Sequence, residues 1–137
     1  VSYHSAGILS EIAADGPEKW TVELHPRSDV LSKILQTVLS WDINKPRKIK
    51  YRSLSPLIRM CQLYYIPESQ LWATWAICNL IRVKSERYIP MLIREKGIGI
   101  LQGVVKEERC LQEARDLATM ALQECENFIF LEKGASK

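Results

Sequence analysis

Residues 68–84, ESQLWATWAICNLIRVK, decide the fold because they carry the clearest helical pattern in the chain. Apolar side chains recur there at steps of three and four residues, which is the period of an α-helix. Trp75 and Asn79 are four positions apart and therefore share one face of the predicted helix. A polar amide on a mostly apolar helix is either satisfied inside the protein or offered to a ligand. The stretch thus predicts a central helix with one polar position that needs an explanation.

The composition is that of a folded domain. The chain has 137 residues, of which 47% are hydrophobic and 26% are charged, and its net charge is +3. This hydrophobic content is too high for a disordered chain, and so mild a positive charge does not by itself indicate nucleic acid or membrane. No run of about eighteen apolar residues predicts a membrane span. Because Val1 already lies in an apparent helix, we expect the chain to be part of a longer protein.

The cysteines and histidines form no metal-binding or catalytic motif. The four cysteines are too far apart for a zinc motif, and neither histidine stands with a cysteine or serine in a catalytic arrangement. The glycines of EKGIGIL (95–101) lack the third glycine and the preceding strand of a phosphate loop. We therefore expect no catalytic residue, no metal and no cofactor. The cysteines are predicted to be reduced core residues of an intracellular protein.

Turn signals divide the chain into helices. Apolar periodicity between these signals predicts helices at 2–14, 29–41, 68–84, 85–95, 98–105 and 106–130, with shorter helical turns at 17–22 and after Ser53 or Ser55. Ser28 is expected to cap the second helix, and Gly97 to end the helix that begins at Ser85. Residues 42–52, DINKPRKIKYR, are predicted to be an exposed basic linker rather than a strand.

An internal repeat relates these helices. ATWAICNL (73–80) aligns with ATMALQEC (118–125), a separation of 45 residues (118 − 73), and SAGILSEI (5–12) aligns with the same segment at a wider separation. Armadillo and HEAT arrays repeat every 40–47 residues, so the wider separation indicates an insertion of about 23 residues. The predicted fold class is all-α, an armadillo-like helical repeat solenoid. Its parts are the end of one repeat (1–16), an enlarged repeat (17–84), a final repeat (85–131) and a tail (132–137).

The last helices of such repeats line the concave side of a solenoid and can hold an extended peptide. Amide side chains there would hydrogen-bond the peptide backbone, and tryptophans would form apolar walls. Helical steps from the reference amide give the candidate groove residues His4, Glu11, Trp72, Trp75, Asn79 and Arg82. In the alternative interpretation both tryptophans are packing residues, Asn79 bonds the next loop and Glu11 is a solvated carboxylate.

The basic linker also has two interpretations. Its five cations, Lys45, Arg47, Lys48, Lys50 and Arg52, belong either to a solvated loop or to a contact for a phosphate or an acidic partner. Tyr51 is the only aromatic residue among them, which is weak support for single-stranded nucleic acid. We expect neither a nucleic-acid nor a membrane partner.

Several segments together resemble one known family. VSYHSAGILSEI (1–12), YRSLSPLIRM (51–60), SQLWATWAICNL (69–80) and RYIPMLIREKGI (87–98) are similar to the C-terminal armadillo-like part of the Zyg-eleven/Zer family, in particular its Zer branch. The similarity extends over residues 1–130. It implies a substrate-recognition module in a receptor of cullin-two RING ubiquitin ligases. Such a module is not an enzyme, and it would act in the cytoplasm and also in the nucleus.

The resemblance also implies partners. The family binds proteins that begin with glycine or another small residue and directs them to ubiquitination and degradation. Cullin-two and elongin would bind through parts of the protein that this chain does not contain. The family has an N-terminal cullin-binding box and leucine-rich repeats, and both are absent here.

The family's glycine pocket does not match the corresponding positions of this chain. That pocket has a Trp-Asn pair with an Asp three residues after the Asn, and one repeat later an Asn with a Glu three residues on. The equivalent positions here are Ser10, Glu11 and Ala14, then Cys78, Asn79 and Arg82. The resemblance therefore implies a main pocket upstream of Val1, with this chain as the far wall of the groove. The alternative is a structural scaffold for protein–protein interaction without degron binding in this segment.

Overall fold

All regular structure in the described part of the chain is helical. The computed structural model describes residues 3–20 and 25–135. The helices are α1 (Tyr3–Ala14), a 3₁₀ turn (Pro17–Lys19), α2 (Arg27–Leu39), α3 (Ser55–Met60), α4 (Pro67–Val83), α5 (Ser85–Arg94), α6 (Gly97–Lys106) and α7 (Gln112–Ala135). No strand occurs in these ranges, so the all-α prediction is confirmed. The architecture is consistent with a helical repeat solenoid, while the armadillo type and the repeat boundaries stay predictions.

Helix α4 lies at the centre of the molecule. It packs against α1, α2, α3, α5 and α7, and every residue from Ser69 to Ile81 is buried. The sequence predicted this helix to within one residue at each end. Burial of each large apolar side chain, such as Leu71 or Ile77, contributes about 1.5–3 kcal/mol. The polar side chains between Ser69 and Asn79 are shielded from water, so any hydrogen bond that they make needs a partner inside the protein.

Three of these polar side chains bond the backbone of neighbouring segments or of α4 itself. The Ser69 hydroxyl donates to the carbonyl of Ser10 in α1 at 2.9 Å. The Gln70 amide donates to the carbonyl of Cys61 at 2.7 Å, just after α3. The Thr74 hydroxyl donates within the helix to the Gln70 carbonyl at 2.8 Å. Two of the three bonds therefore fix the position of α4 relative to α1 and to the end of α3.

Helices α1 and α4 approach closely because α1 carries a glycine at the contact. A Cβ atom on Gly7 would lie 2.4 Å from Cζ2 of the Trp72 ring, inside the ring's van der Waals surface. The ring is buried, and its indole N–H donates to the Tyr3 carbonyl at 3.3 Å. Neither the ring nor the helix can move away without losing this packing.

Several predicted helix boundaries are wrong. Helix α2 begins at Arg27 after Pro26, so Ser28 lies inside the first turn and does not cap it. At the start of α2 the Arg27 guanidinium donates to the Ala13 carbonyl at 2.8 Å, which connects α2 to the end of α1. Helix α7 begins at Gln112 rather than 106, because residues 107–111 form a turn. Gly134 belongs to α7 rather than to the predicted tail. Predictions for residues 2, 21, 22, 136 and 137 lie outside the described residues.

The corner between α5 and α6 also differs from the prediction. The left-handed residue that ends α5 is Lys96, with φ of 64°, and Gly97 is the first residue of α6. Gly97 lies close to the core, since a Cβ there would be 2.2 Å from Cδ1 of Leu92 and 3.0 Å from Cδ1 of Ile58. A larger residue at 97 would require these side chains to shift.

The four cysteines, Cys61, Cys78, Cys110 and Cys125, are buried and unpaired, as the core prediction required. Burial raises the pKa of the Cys61 and Cys78 thiols to about 12. These thiols therefore stay protonated and behave as small apolar side chains.

Helix α3 is capped by a carboxylate from the end of α5. Glu95 accepts hydrogen bonds from the Ser53 hydroxyl, from the Leu54 N–H at 3.0 Å and from the Ser55 hydroxyl at 2.8 Å. Ser53 and Ser55 were the two predicted caps of this helix. The Ser53 hydroxyl accepts the N–H of Ser55, the first residue of α3, at 3.2 Å. Burial by itself raises the pKa of Glu95, but the hydrogen bonds outweigh it and hold that pKa below its usual value. The ionised carboxylate is therefore favoured by folding.

We expect Gly7→Ala to destabilise the protein by about 2 kcal/mol, because the added methyl group overlaps the buried Trp72 ring. Gly99→Ala is the matched control, since nothing lies within 4 Å of a Cβ at that exposed helical position. The control should be neutral or stabilising by up to about 1 kcal/mol. Urea unfolding measures both free energies. Equal effects of the two substitutions would contradict the close α1–α4 contact.

Glu95→Gln should destabilise the folded state by about 1 kcal/mol at pH 7, because a charged cap is replaced by an amide. Since folding lowers the pKa of Glu95, its contribution is fully present above the unfolded pKa of about 4.3 and is lost as pH falls through the folded pKa. Urea unfolding between pH 7 and pH 3 should show the difference shrinking. Glu108→Gln, at an exposed carboxylate in the α6–α7 turn, is the control. A difference that stayed constant with pH would rule out the charged cap.

Candidate functional site

The six predicted groove residues lie at three places in the structure. His4, Glu11 and Trp72 line one cavity, and Trp75 lines a second. Asn79 and Arg82 contact the basic linker. Trp72 and Trp75 are each 2% exposed and Asn79 is fully buried, so these three side chains belong to the interior. Only His4 and Glu11 are exposed. The role of all six in a peptide groove stays a prediction.

The first cavity, here called the α1 cavity, has a volume of about 140 Å³. It is lined by Tyr3, His4, Gly7, Ile8, Glu11, Tyr51 and Trp72. The buried Trp72 ring against Gly7 forms its floor, while His4 and Glu11 stand at its solvent edge. Glu11 has no ion-pair partner within residues 3–20 and 25–135. The arrangement combines a small apolar floor with an available negative charge.

Two tyrosines close one side of the α1 cavity. The hydroxyls of Tyr3 and Tyr51 are 2.6 Å apart, and burial followed by this hydrogen bond raises the pKa of Tyr3. Burial also raises the pKa of Tyr51. Both hydroxyls are therefore neutral, and Glu11 supplies the one carboxylate among the residues that line the α1 cavity. A cationic or N–H-bearing ligand fits this electrostatic pattern better than an anion does.

The second cavity lies between the end of α2, α4 and the start of α7. It has a volume of about 220 Å³ and is lined by Val38, Leu39, Trp41, Ile43, Leu71, Trp75, Glu113, Asp116 and Leu117. The Trp41 and Trp75 rings are 4.8 Å apart. The indole N–H of Trp75 has no hydrogen-bond partner among the described residues.

Asn79 binds the linker as a side-chain amide would bind an extended peptide. Its Oδ1 accepts the backbone N–H of Arg47 at 2.6 Å, and its Nδ2 donates to the Arg47 carbonyl at 3.0 Å. The Arg47 guanidinium lies 4.6 Å from the centre of the Trp41 ring, a cation–π contact. The polar position noticed in the sequence is thus satisfied by the protein's own chain.

Further along the linker, α5 supplies the partners. The Tyr88 hydroxyl accepts the Tyr51 N–H at 3.0 Å and donates to the Ile49 carbonyl at 3.4 Å. The Arg87 guanidinium donates to the Tyr51 carbonyl at 3.1 Å. The backbone groups of residues 47, 49 and 51 are therefore bonded by side chains of α4 and α5. In the described part of the chain the linker has no strand partner.

Arg82 of α4 contacts both the linker and α7. It donates to the Asn44 side chain at 3.2 Å and pairs with Glu124 of α7 at 3.4 Å. Because both partners of the ion pair are partly exposed, the pair itself contributes at most about 1 kcal/mol. Its effect is to orient the start of the linker against α4 and α7.

Sequence reasoning missed Tyr3, Tyr51, Arg87 and Tyr88 as residues of this region. Their partners are far away in sequence, 48 residues for the tyrosine pair and 37 for Tyr88 with Tyr51, so local periodicity carries no sign of them. Within the described ranges, no three His, Cys, Asp or Glu residues are grouped so that they could hold a metal ion. None of the described helices is long and apolar enough to cross a membrane.

The chain is similar to one family over most of its length. A family model described as "Protein zer-1 homolog-like, C-terminal domain" matches residues 1–127. The Protein zer-1 homolog of Homo sapiens is 41% identical over 128 residues, which cover 93% of this chain and 17% of that protein. Identity is 35% to the Drosophila melanogaster Protein zer-1 homolog and 34% to Zyg eleven-related protein 1 of Caenorhabditis elegans. These two matches cover 93% of this chain, and 16% and 14% of those proteins.

Asn79→Ala should release the linker, because it removes both hydrogen bonds to the Arg47 backbone. A loss of about 1.4 kcal/mol of local stability would speed native-state cleavage about tenfold. Trypsin cleavage after Arg47, Lys48 or Lys50, followed by mass spectrometry, measures this rate.

Two controls accompany the trypsin experiment. Asn127→Ala, on the exposed face of α7, should leave cleavage of the linker unchanged. Cleavage after Arg115 in α7 reports global unfolding and should accelerate less than cleavage in the linker. If cleavage at both places accelerated equally, Asn79 would support the whole fold and not the linker in particular.

Proposed function

The chain belongs to the family of zer-1 homolog-like C-terminal domains, and from this membership we propose that it is part of a substrate receptor of a cullin-two RING ubiquitin ligase. In this role it is not itself an enzyme. It helps to recognise proteins that begin with glycine or another small residue, which are then ubiquitinated and degraded in the cytoplasm and the nucleus. Cullin-two and elongin bind through other parts of such a receptor, which has an N-terminal cullin-binding box. The matched region is a small C-terminal share of the relatives, so these activities concern the whole protein.

The observation that carries the proposal is the composition of the α1 cavity. Its anionic group is Glu11, its floor is the Trp72 ring against Gly7, and its volume is about 140 Å³. A peptide that starts with a small residue presents a positively charged amine and little side-chain bulk. The cavity is compatible with the backbone of such a peptide, and the carboxylate favours its positive end.

An exposed apolar residue of α1 supports a groove that continues beyond the α1 cavity. Ile8 is 59% exposed and lines the α1 cavity. A neighbouring repeat or a bound peptide would cover this apolar side chain. In the proposed receptor the main glycine pocket lies in the repeats before α1, and Glu11 forms the far wall of the groove.

The second candidate function is a structural scaffold without degron binding in this segment. It is favoured by the burial of Trp72, Trp75 and Asn79, of which only the Trp72 ring lines the α1 cavity. In that case the chain would contribute helices to the solenoid and contact protein partners with its outer surface. Peptide binding by the whole protein that does not respond to changes in α1 would support this alternative.

The full-length protein should bind peptides that begin with glycine, and acetylation of the peptide amine should weaken the binding. Glu11→Gln should lower the affinity about fivefold, because a partly solvated charge contact contributes about 1 kcal/mol. Isothermal titration calorimetry with free and acetylated peptides measures both effects.

Glu108→Gln removes the same charge from a distant exposed site and should leave the affinity unchanged. Equal affinity for free and acetylated peptides would refute the degron proposal. If acetylation weakened binding but Glu11→Gln had no effect, the peptide would bind elsewhere and α1 would not be part of the groove.

A further inference from the structure

We propose that the cleft between the basic linker and the α4–α5 corner binds an acidic peptide segment of a partner protein. The cleft, here called the α5 cleft, has a volume of about 240 Å³. It is lined by Lys48, Ile49, Lys50, Val83, Lys84, Arg87 and Tyr88. The expected ligand is an extended segment with aspartate or glutamate on both sides of one apolar side chain. This inference does not depend on degron binding, since none of its residues lines the α1 cavity.

The charge of the α5 cleft is positive and uncompensated. Four of its seven lining residues are cationic and none is acidic. The ion pairs found in the described part of the chain, Arg82 with Glu124 and Arg109 with Glu107, involve none of these four cations. In the sequence, no acidic residue occurs between Asp42 and Glu68. The cleft therefore carries four cations on a chain whose net charge is only +3.

The linker holds two of these cations in place before any ligand arrives. Lys48 lies between Arg47, which Asn79 holds through two backbone hydrogen bonds, and Ile49, whose carbonyl accepts from Tyr88. Lys50 lies between Ile49 and Tyr51, whose N–H and carbonyl are also bonded. The backbone at both lysines is therefore anchored on each side. A ligand therefore loses less entropy in ordering this loop, which favours binding.

The uncharged residues of the cleft select the kind of acidic ligand. Ile49 and Val83 are half-buried and Tyr88 is 2% exposed, so the cleft has an apolar floor beneath its cationic edge. Its volume is below the usual range of about 300–1,000 Å³ for small-molecule sites. It suits a single apolar side chain of a peptide, with carboxylates reaching the lysines.

The same features disfavour nucleic acid. Binding of single strands depends on aromatic faces that are open for base stacking. The only aromatic ring that lines the α5 cleft is Tyr88, which is buried and lies 5.4 Å from the Arg87 guanidinium. The cleft offers charge and an apolar floor but no open aromatic face.

The test measures fluorescence anisotropy of the chain with a labelled twelve-residue peptide that carries six Asp or Glu residues around one central Leu. Lys48→Glu combined with Lys50→Glu should lower the affinity at least about tenfold, because two attractive contacts become repulsive. Lys33→Glu combined with Lys106→Glu changes the net charge equally at exposed sites away from the cleft. This control should lower the affinity less than about twofold. Replacing the central Leu of the peptide by Ser should weaken binding about fivefold.

Three results would overturn the proposal. The first is no measurable binding of the Leu-containing peptide to the unaltered chain. The second is an equal loss of affinity in the two double variants, which would mean attraction by net charge alone. The third is tighter binding of a twelve-nucleotide single strand than of the peptide at the same ionic strength, which would indicate a nucleic-acid surface. Circular dichroism of both double variants establishes that each is folded.

Discussion

The enclosure of helix α4 between Ser69 and Ile81 is the constraint on which the rest of the structure depends. Neighbouring helices surround it, so every residue from Ser69 to Ile81 is buried and each polar group needs a partner inside the protein. For Asn79 that partner is the backbone of Arg47. An unpaired amide in this position would cost about 1–3 kcal/mol. The core therefore holds the linker, and the linker in turn completes the core.

Because the middle of α4 is buried, the exposed charged side chains that line cavities lie on other segments. Residues 47–51 run along α4 and α5, and they contribute to two separate cavities. Tyr51 lines the α1 cavity, whereas Lys48 and Lys50 line the α5 cleft. One cavity carries the carboxylate of Glu11 and the other carries only cations. A single anchored segment thus contributes to two cavities whose charged lining residues differ in sign.

The sequence was informative where the structure depends on local periodicity and uninformative where it depends on distant contacts. The strong period of α4 predicted its ends to within one residue. The predicted start of α7 was wrong because residues 106–109 (KEER) are good helix formers. In the structure Lys106 ends α6 and residues 107–111 form a turn in which Glu107 pairs with Arg109. The cap of α3 by Glu95 could not be predicted, since Ser55 is 40 residues away. The α1 cavity was partly predictable, because the helical period placed His4 and Glu11 together.

The same reasoning explains why Trp72, Trp75 and Asn79 were expected at a groove and lie in the interior. Periodicity shows which side chains share a face of a helix, but not what covers that face. Here Gly7 lets α1 approach Trp72, while Trp41 and Arg47 reach Trp75 and Asn79 from the enlarged connection after α2. The linker holds Asn79 with the two hydrogen bonds that an extended peptide would make. A peptide can therefore reach Asn79 only by displacing residues 46–48 and replacing those bonds. A ligand that binds the α1 cavity at Glu11 does not have to pay that cost.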